Sequence, residues 1–259
     1  EKSSMRTRVS FEVAMTQMGG HAIYLTKHDI NIGERESIKD VSKVLSRFID
    51  CIAIRTYDHK TVIELADSSS VPVINALSDY THPCQALTDL YTIKEKKGSL
   101  DNVNLAYVGD GNNVARSLAF LCAKLKVSCT IASPENYELS AQFLNELENN
   151  VIGKDSYIKQ IRDPREAVKG ADVIYTDTWI SMGEEEEAEA RRQDFKGFQV
   201  NNELISYAKK DVFVMHCLPA HRGEEITDDV IDGEHSIVYD QAENRLHVQK
   251  ALLKLLISG

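Results

Sequence analysis

What this chain of 259 residues lacks already narrows what it is. No apolar run approaches the roughly 18 residues that a membrane-spanning helix needs, so no membrane partner is expected. Positive charge is not in excess. A formal net charge of −10 argues against a general nucleic-acid surface, which requires a basic field. There is no cysteine framework: the five cysteines, an odd number, are scattered as Cys51, Cys84, Cys122, Cys129 and Cys217. That usage suits a reducing compartment, and a cytoplasmic location is expected. Cys217, His216, His221, His82 and Cys84 are zinc-ligand types, but no Cys-x-x-Cys or His-x-x-x-His spacing joins them. No metal is expected. The chain also has no low-complexity tract, no proline-rich linker and no leader-like apolar segment.

What is present is a chain long enough for a substantial core, with 42% hydrophobic residues, in one large domain or two smaller ones. Short apolar runs alternate with helical periodicity. Val9, Val13 and Met18 mark one face of a first helix that Gly19-Gly20 stops. "HAIYL" reads as a strand, and Ile38, Val41, Leu45 and Phe48 space a second helix. "CIAIRTY", "VPVINAL", "NVNLAYV", "SCTIASP", "ADVIYT" and "DVFVMHC" read as strands, with "HSIVYDQA" as the last before a closing helix. Repeated β–α units imply an α/β fold of two domains, each a parallel sheet flanked by helices on both faces. The lysine-rich end of the helix from "HPCQ" (Lys94, Lys96, Lys97, Gly98) is the expected junction.

Five constellations carry possible chemistry. "SSMRTR" puts Ser4, Arg6, Thr7 and Arg8 around a helix start, where unpaired N–H groups favour anions. By itself it also fits an ordinary capped helix with surface arginines. "GDGNNVA" at 109–115 has the form of a dinucleotide turn, which would suit a nicotinamide-dependent oxidoreductase. However, the next strand ends in Ser133-Pro134 without the expected acid. The plainer alternative is a tight strand–helix turn presenting Asn112 and Asn113. "HPCQ" sets His82 and Gln85 on one helix face, and "HCLPA" ends a strand at Cys217, where α/β sheets bind ligands. In "DTWISMGEEEE", Asp177 ends a strand, and the run Glu184 to Glu187 reads as a solvated first helical turn.

Taken in order, "SMRTR", "HPCQ", "GDGNNVA", "DTWISMG" and "HCLPA" resemble the signatures of the aspartate/ornithine transcarbamylase family, and its ornithine members in particular. The resemblance runs from Glu1 to the closing helix. It implies transfer of a carbamoyl group from carbamoyl phosphate to the side-chain amine of L-ornithine, within arginine metabolism, without a cofactor. It implies residues 1–88, completed by helix 242–259, as the carbamoyl-phosphate domain, and residues 97–239 as the ornithine domain. Ser4, Met5, Arg6 and Thr7 would hold phosphate. Arg55, His82 and Gln85, with Arg245 nearby, would hold the carbamoyl end. Asn113, Asp177, Ser181, Met182, Cys217 and Leu218 would take ornithine. Arg6, Arg55, His82 and Cys217 would be the catalytic groups. A homotrimer, or a multiple of trimers, is implied, with Asn31 reaching a neighbouring subunit's ligand. Three departures stand out: Met5 replaces a usual threonine, Asn31 replaces a longer glutamine or histidine, and relatives begin earlier with a helix and a strand. Another amine acceptor (putrescine or an acylated ornithine) and a non-catalytic relative are the alternatives.

Overall fold

The alternating pattern becomes two parallel sheets in the computed structural model, which describes residues 2–152, 157–181, 183 and 185–258. The chain divides into two compact units. The first comprises residues 1–88 and 243–259, and the second residues 89–242. The division falls between Thr88 and Asp89, inside a helix and ahead of the lysine-rich stretch expected to mark it.

The first unit opens with α1 (Met5–Gln17), α2 (Lys27–Ile30) and α3 (Ile38–Leu45). β1 (Ile52–Arg55), α4 (His59–Ser68) and β2 (Val73–Leu77) follow, then α5 (Pro83–Lys97). β1 and β2 form a two-stranded parallel sheet. Phe11 and Ala14 of α1, Ile74 and Ala76 of β2, and Leu253 of the closing helix make its apolar core.

The second unit contains β3 (Asn104–Val108), α6 (Asn113–Leu125), β4 (Ser128–Ala132), α7 (Ala141–Leu147) and β5 (Ile158–Ile161). It continues through α8 (Pro164–Val168), β6 (Val173–Thr176), α9 (Ala188–Asp194), α10 (Asn202–Ile205), β7 (Phe213–His216) and α11 (Asp228–Ile231). The closing helix is α12 (Val238–Ser258). The strand order is β5-β4-β3-β6-β7, all parallel. Succession reverses between β3 and β6, so the carboxyl ends of these strands flank the switch point where open α/β sheets bind ligands. Helix starts are set by local side chains: Ser4, Ser37, Asp58, Asn112, Ser140, Asp163 and Asn201 each accept a backbone N–H in the first turn.

Four expectations from the sequence are corrected. "HAIYL" is not a strand: residues 21–25 pair with no described strand, and Ile23 is exposed. "HSIVYDQA" is not one either. His235 and Ile237 exchange one pair of backbone bonds with Val214, and Val238 is already helical, so a single rung extends the sheet. The α1 face is also different, because Thr7, Ser10, Phe11 and Ala14 point inward while Val9 and Met18 are exposed. Burying Ser10 costs little, since its hydroxyl donates to the Arg6 and Thr7 carbonyls. Finally, Phe48 lies past the end of α3 and is exposed. The short edge strand β5 was not anticipated.

Candidate active site

In the first unit, α1 begins at Ser4, whose Oγ accepts the Thr7 N–H at 3.3 Å. No acid occupies the first turn, so the helix-start charge and Arg6 are uncompensated locally. Met5 stands there exposed, with only its backbone available for an anion. Arg8 is engaged elsewhere, with Glu12 at 2.8 Å and over the Tyr24 ring. Behind this start lies Arg245 of α12. Its Nη2 donates to Thr7 Oγ1 at 3.2 Å and its Nη1 to Gln85 Oε1 at 2.6 Å. Thr7, Gln85 and Arg245 are all buried. Arg55 ends β1, and His82 precedes Pro83, which fills the first position of α5 where no N–H is needed.

His82 is buried, and burial holds its imidazole well below the ordinary value of 6.5; the positive charges of Arg245, Arg55 and Lys2 push the same way. A neutral ring beside fixed cations can donate a hydrogen bond to an oxygen that gains negative charge. This unit thus gathers Ser4, Arg6, Thr7, Arg55, His82, Gln85 and Arg245. Asn31 caps α2 in the left-handed region (φ 43°), and its Nδ2 donates to Glu34 Oε2 at 2.7 Å.

In the second unit, strand register assembles the site. Val108 pairs with Thr176 and Thr176 with His216, so the residues just beyond come together at one sheet edge. Cys217 Sγ lies 3.1 Å from Asp177 Oδ1 as donor, and Asn112 Nδ2 donates to Asp177 Oδ2 at 3.0 Å. Asp177 is buried. Leu218 sits in the left-handed region (φ 59°), and its N–H donates to His216 Nδ1 at 2.9 Å. His216 Nδ1 therefore carries no proton, and Nε2–H donates to the buried Glu225 at 3.0 Å. Asp177, His216 and Cys217 place ligand-type atoms within 4.8 Å of one another. The one ring lone pair of His216 is taken by the Leu218 N–H and its Nε2 carries a proton toward Glu225, so His216 has no lone pair to offer and this donor set does not fit a metal.

The glycines of "GDGNN" have a local explanation. A Cβ on Gly111 would lie 2.6 Å from the backbone of Glu138 and Leu139, and the Gly111 N–H donates to Tyr137 O at 2.7 Å. The chain's own backbone occupies the close approach that a pyrophosphate would need, and Asn112 caps α6. The turn is thus the strand–helix connection, not a dinucleotide site. Asn113 opens α6, and Ser181 follows Trp179 and Ile180 off the end of β6. Met182 lies outside the described residues.

Two contacts were beyond the sequence reading. Asn112, expected beside Asn113 on the strand–helix turn but given no binding role, is the one that touches Asp177. Arg191 of α9 is buried; its Nη1 donates to Asp110 Oδ2 at 2.9 Å and to the Trp179 carbonyl at 2.9 Å. It ties the segment after β6 to the turn after β3. Only the basic pair at 191–192 in a helical stretch hinted at it.

Residues 1–95 match the family model described as aspartate/ornithine carbamoyltransferase, carbamoyl-P binding domain. Residues 101–256 match the model described as aspartate/ornithine carbamoyltransferase, Asp/Orn binding domain. The chain is 55% identical over 259 residues to an ornithine carbamoyltransferase of Pyrococcus abyssi, covering 100% of this chain and 82% of the relative. The solved ornithine carbamoyltransferase from Pyrococcus furiosus superposes with a TM-score of 0.95 at 55% identity, covering 100% of this chain and 82% of that one. The anabolic ornithine carbamoyltransferase of Campylobacter jejuni gives 0.93 at 39% identity, covering 98% and 84%.

Removing Arg191 takes from the buried Asp110 its guanidinium partner, and breaking a buried ion pair in this way costs about 3–5 kcal/mol. Arg165, whose side chain is 61% exposed in its pair with Glu203, is worth less than about 1 kcal/mol. Urea unfolding followed by the fluorescence of Trp179, the single tryptophan, should therefore show a large midpoint loss for Arg191→Ala and a small one for Arg165→Ala.

Proposed function

This chain belongs to the aspartate/ornithine carbamoyltransferase family, and from that premise and the two constellations above we infer that it is an ornithine carbamoyltransferase. It transfers the carbamoyl group of carbamoyl phosphate to the side-chain amine of L-ornithine, giving L-citrulline and phosphate. The observation that carries this most directly is the second unit's site, where the carboxylate of Asp177 bonds the Cys217 thiol. A buried carboxylate at the switch point suits a cationic amino acid.

In this reading the first unit holds carbamoyl phosphate. The helix start at Ser4, Met5, Arg6 and Thr7 takes the phosphate dianion and keeps it as the leaving group. Arg55, His82 and Gln85 face the carbamoyl oxygen, and Arg245 fixes Gln85 and Thr7 from behind. The second unit holds ornithine through Asp177, Cys217, Leu218, Asn113, Ser181 and Met182. The neutral δ-amine attacks the carbamoyl carbon, a C–N bond forms, the C–O bond to phosphate breaks, and phosphate departs with the electron pair and takes up the proton that the amine nitrogen loses. Free ornithine's amine, by analogy with lysine, has a pKa of about 10.4, so deprotonation at pH 7.4 costs about 4 kcal/mol. Orientation of the amine by Asp177 and Cys217, and binding of both substrates together, offset this cost. Arg6, Arg55 and His82 stabilise charge that grows only in the transition state.

The assembly is a homotrimer or a multiple of trimers, with Asn31 reaching a neighbouring subunit's phosphate. The reaction lies in arginine biosynthesis; the relative from Pyrococcus furiosus is named as an anabolic enzyme.

Two substitutions separate the roles. His82→Ala should lower kcat about 10²–10³-fold while the KM for carbamoyl phosphate changes little. Asp177→Asn should lower kcat/KM for ornithine roughly 10–100-fold with the KM for carbamoyl phosphate retained. Citrulline assays decide both; equal damage to the two substrates would refute the division of roles. Light scattering should give a mass that is a multiple of three chains, and a monomer or dimer would remove the role of Asn31.

A further inference from the structure

Among the described residues, Asp177 accepts two side-chain hydrogen bonds: from Cys217 on Oδ1 and from Asn112 on Oδ2. The second is unusual for what Asn112 does with its other end. Its Oδ1 accepts the N–H groups of Val114 at 2.9 Å and Ala115 at 3.1 Å, capping α6. The Tyr107 hydroxyl donates to the same Oδ1 at 3.5 Å. A cap oxygen must accept, so the amide cannot flip: its oxygen is committed to the helix and its NH2 to the carboxylate. Asparagine, aspartate and serine cap helices about equally well. Only asparagine also supplies a donor on the far side. Serine would cap without reaching Asp177. Aspartate would cap but set a second carboxylate about 3 Å from the first.

We propose that Asn112 is a positioning residue for the carbamoyl transfer. It orients the Asp177 carboxylate through the capped start of α6, so that the remaining lone pairs on Oδ1 and Oδ2 meet the ornithine cation. This deepens the function proposed above and rests on it. Each carboxylate oxygen can accept two hydrogen bonds, so one bond from Asn112 and one from Cys217 fix the group and leave capacity for the substrate. The groups around Asp177 do not compete for this task. Asp110 of the same turn is paired with Arg191 of α9. Burial, with Asp177 among the nearby charges, pushes the Tyr107 and Tyr175 hydroxyls well above their ordinary value, so both stay neutral. Cys217 of the segment after β7 is the other donor.

The test uses two substitutions that keep the cap. Asn112→Ser should raise the KM for ornithine about tenfold, the value of one hydrogen bond to a charged group, with the KM for carbamoyl phosphate unchanged. Its deficit relative to the unaltered protein should be the same at every pH. Asn112→Asp should show a pH-dependent deficit. Two carboxyl groups this close share a proton, which raises the pKa of one of them. While that proton is held, the introduced carboxyl can donate to Asp177 as the amide does. The deficit should therefore be small at low pH and grow as the proton is lost. A cap lost or a fold disturbed would not produce that profile. If the unaltered protein makes citrulline and both variants keep ornithine KM values within twofold of it, or the deficit of Asn112→Asp is flat with pH, the positioning role is overturned alone. If the unaltered protein makes no citrulline, the reading of function fails and this role fails with it.

Discussion

The first unit depends on one buried guanidinium. Arg245 comes from the last helix, yet it bonds Thr7 of α1 and Gln85 of α5. Its charge persists at every relevant pH, so burying it is tolerated only with hydrogen bonds on the fork. Much else in this unit follows. Thr7 faces inward because its hydroxyl is one of the acceptors. Gln85 must present its oxygen to Arg245. His82, buried beside this charge and that of Arg55, is held neutral. Under the proposed function, a dianion at the start of α1 would meet charge that the fold has already desolvated, which is the condition for electrostatic stabilisation of a transition state.

The second unit depends on register instead. A parallel sheet whose order reverses between β3 and β6 sets three strand ends side by side, and the segments beyond them bring Asn112, Asp177 and Cys217 into contact. A slip of one residue in β6 would turn Asp177 to the opposite face. Full burial of Val173, Ile174 and Tyr175 makes that slip costly. The apolar core of this unit therefore sets the orientation of its most polar group. Arg191 acts on the segment after β6 in the same sense, through a buried pair with Asp110.

These two dependences explain what could be read from residues alone. Parallel α/β architecture was legible because apolar runs and helical periods alternate without interruption. The site motifs were legible because they lie at strand ends and helix starts, where local chemistry is distinctive. The inward face of α1 was not. Apolar periodicity chose Val9 and Met18, whereas the interior there is organised by an arginine more than two hundred residues away in sequence. "HSIVYDQA" has β-branched composition, but only one rung of ladder is available before α12 begins. "HAIYL" carries strand composition and finds no described partner. Asn112 was overshadowed by Asn113 because a capping asparagine is ordinary locally, and its contact with Asp177 is 65 residues away along the chain. Arg191 was hidden for the same reason, its partner Asp110 being 81 residues away.

The account turns on His82 being an uncharged donor held so by burial and by its arginine neighbours. Its folded pKa is lowered, so the folded chain leaves the ring unprotonated where the unfolded chain, titrating near 6.5, takes up the proton. Folding therefore loses this contribution as pH falls below that value. Nitrogen-15 NMR of histidine-labelled protein, assigned with His82→Gln, reads the ring directly. The account predicts neutral-imidazole shifts for His82 at pH 6.5 and below, with titration moving upward in Arg245→Gln. A His82 ring half-protonated at pH 6.5 or above in the unaltered protein would contradict it.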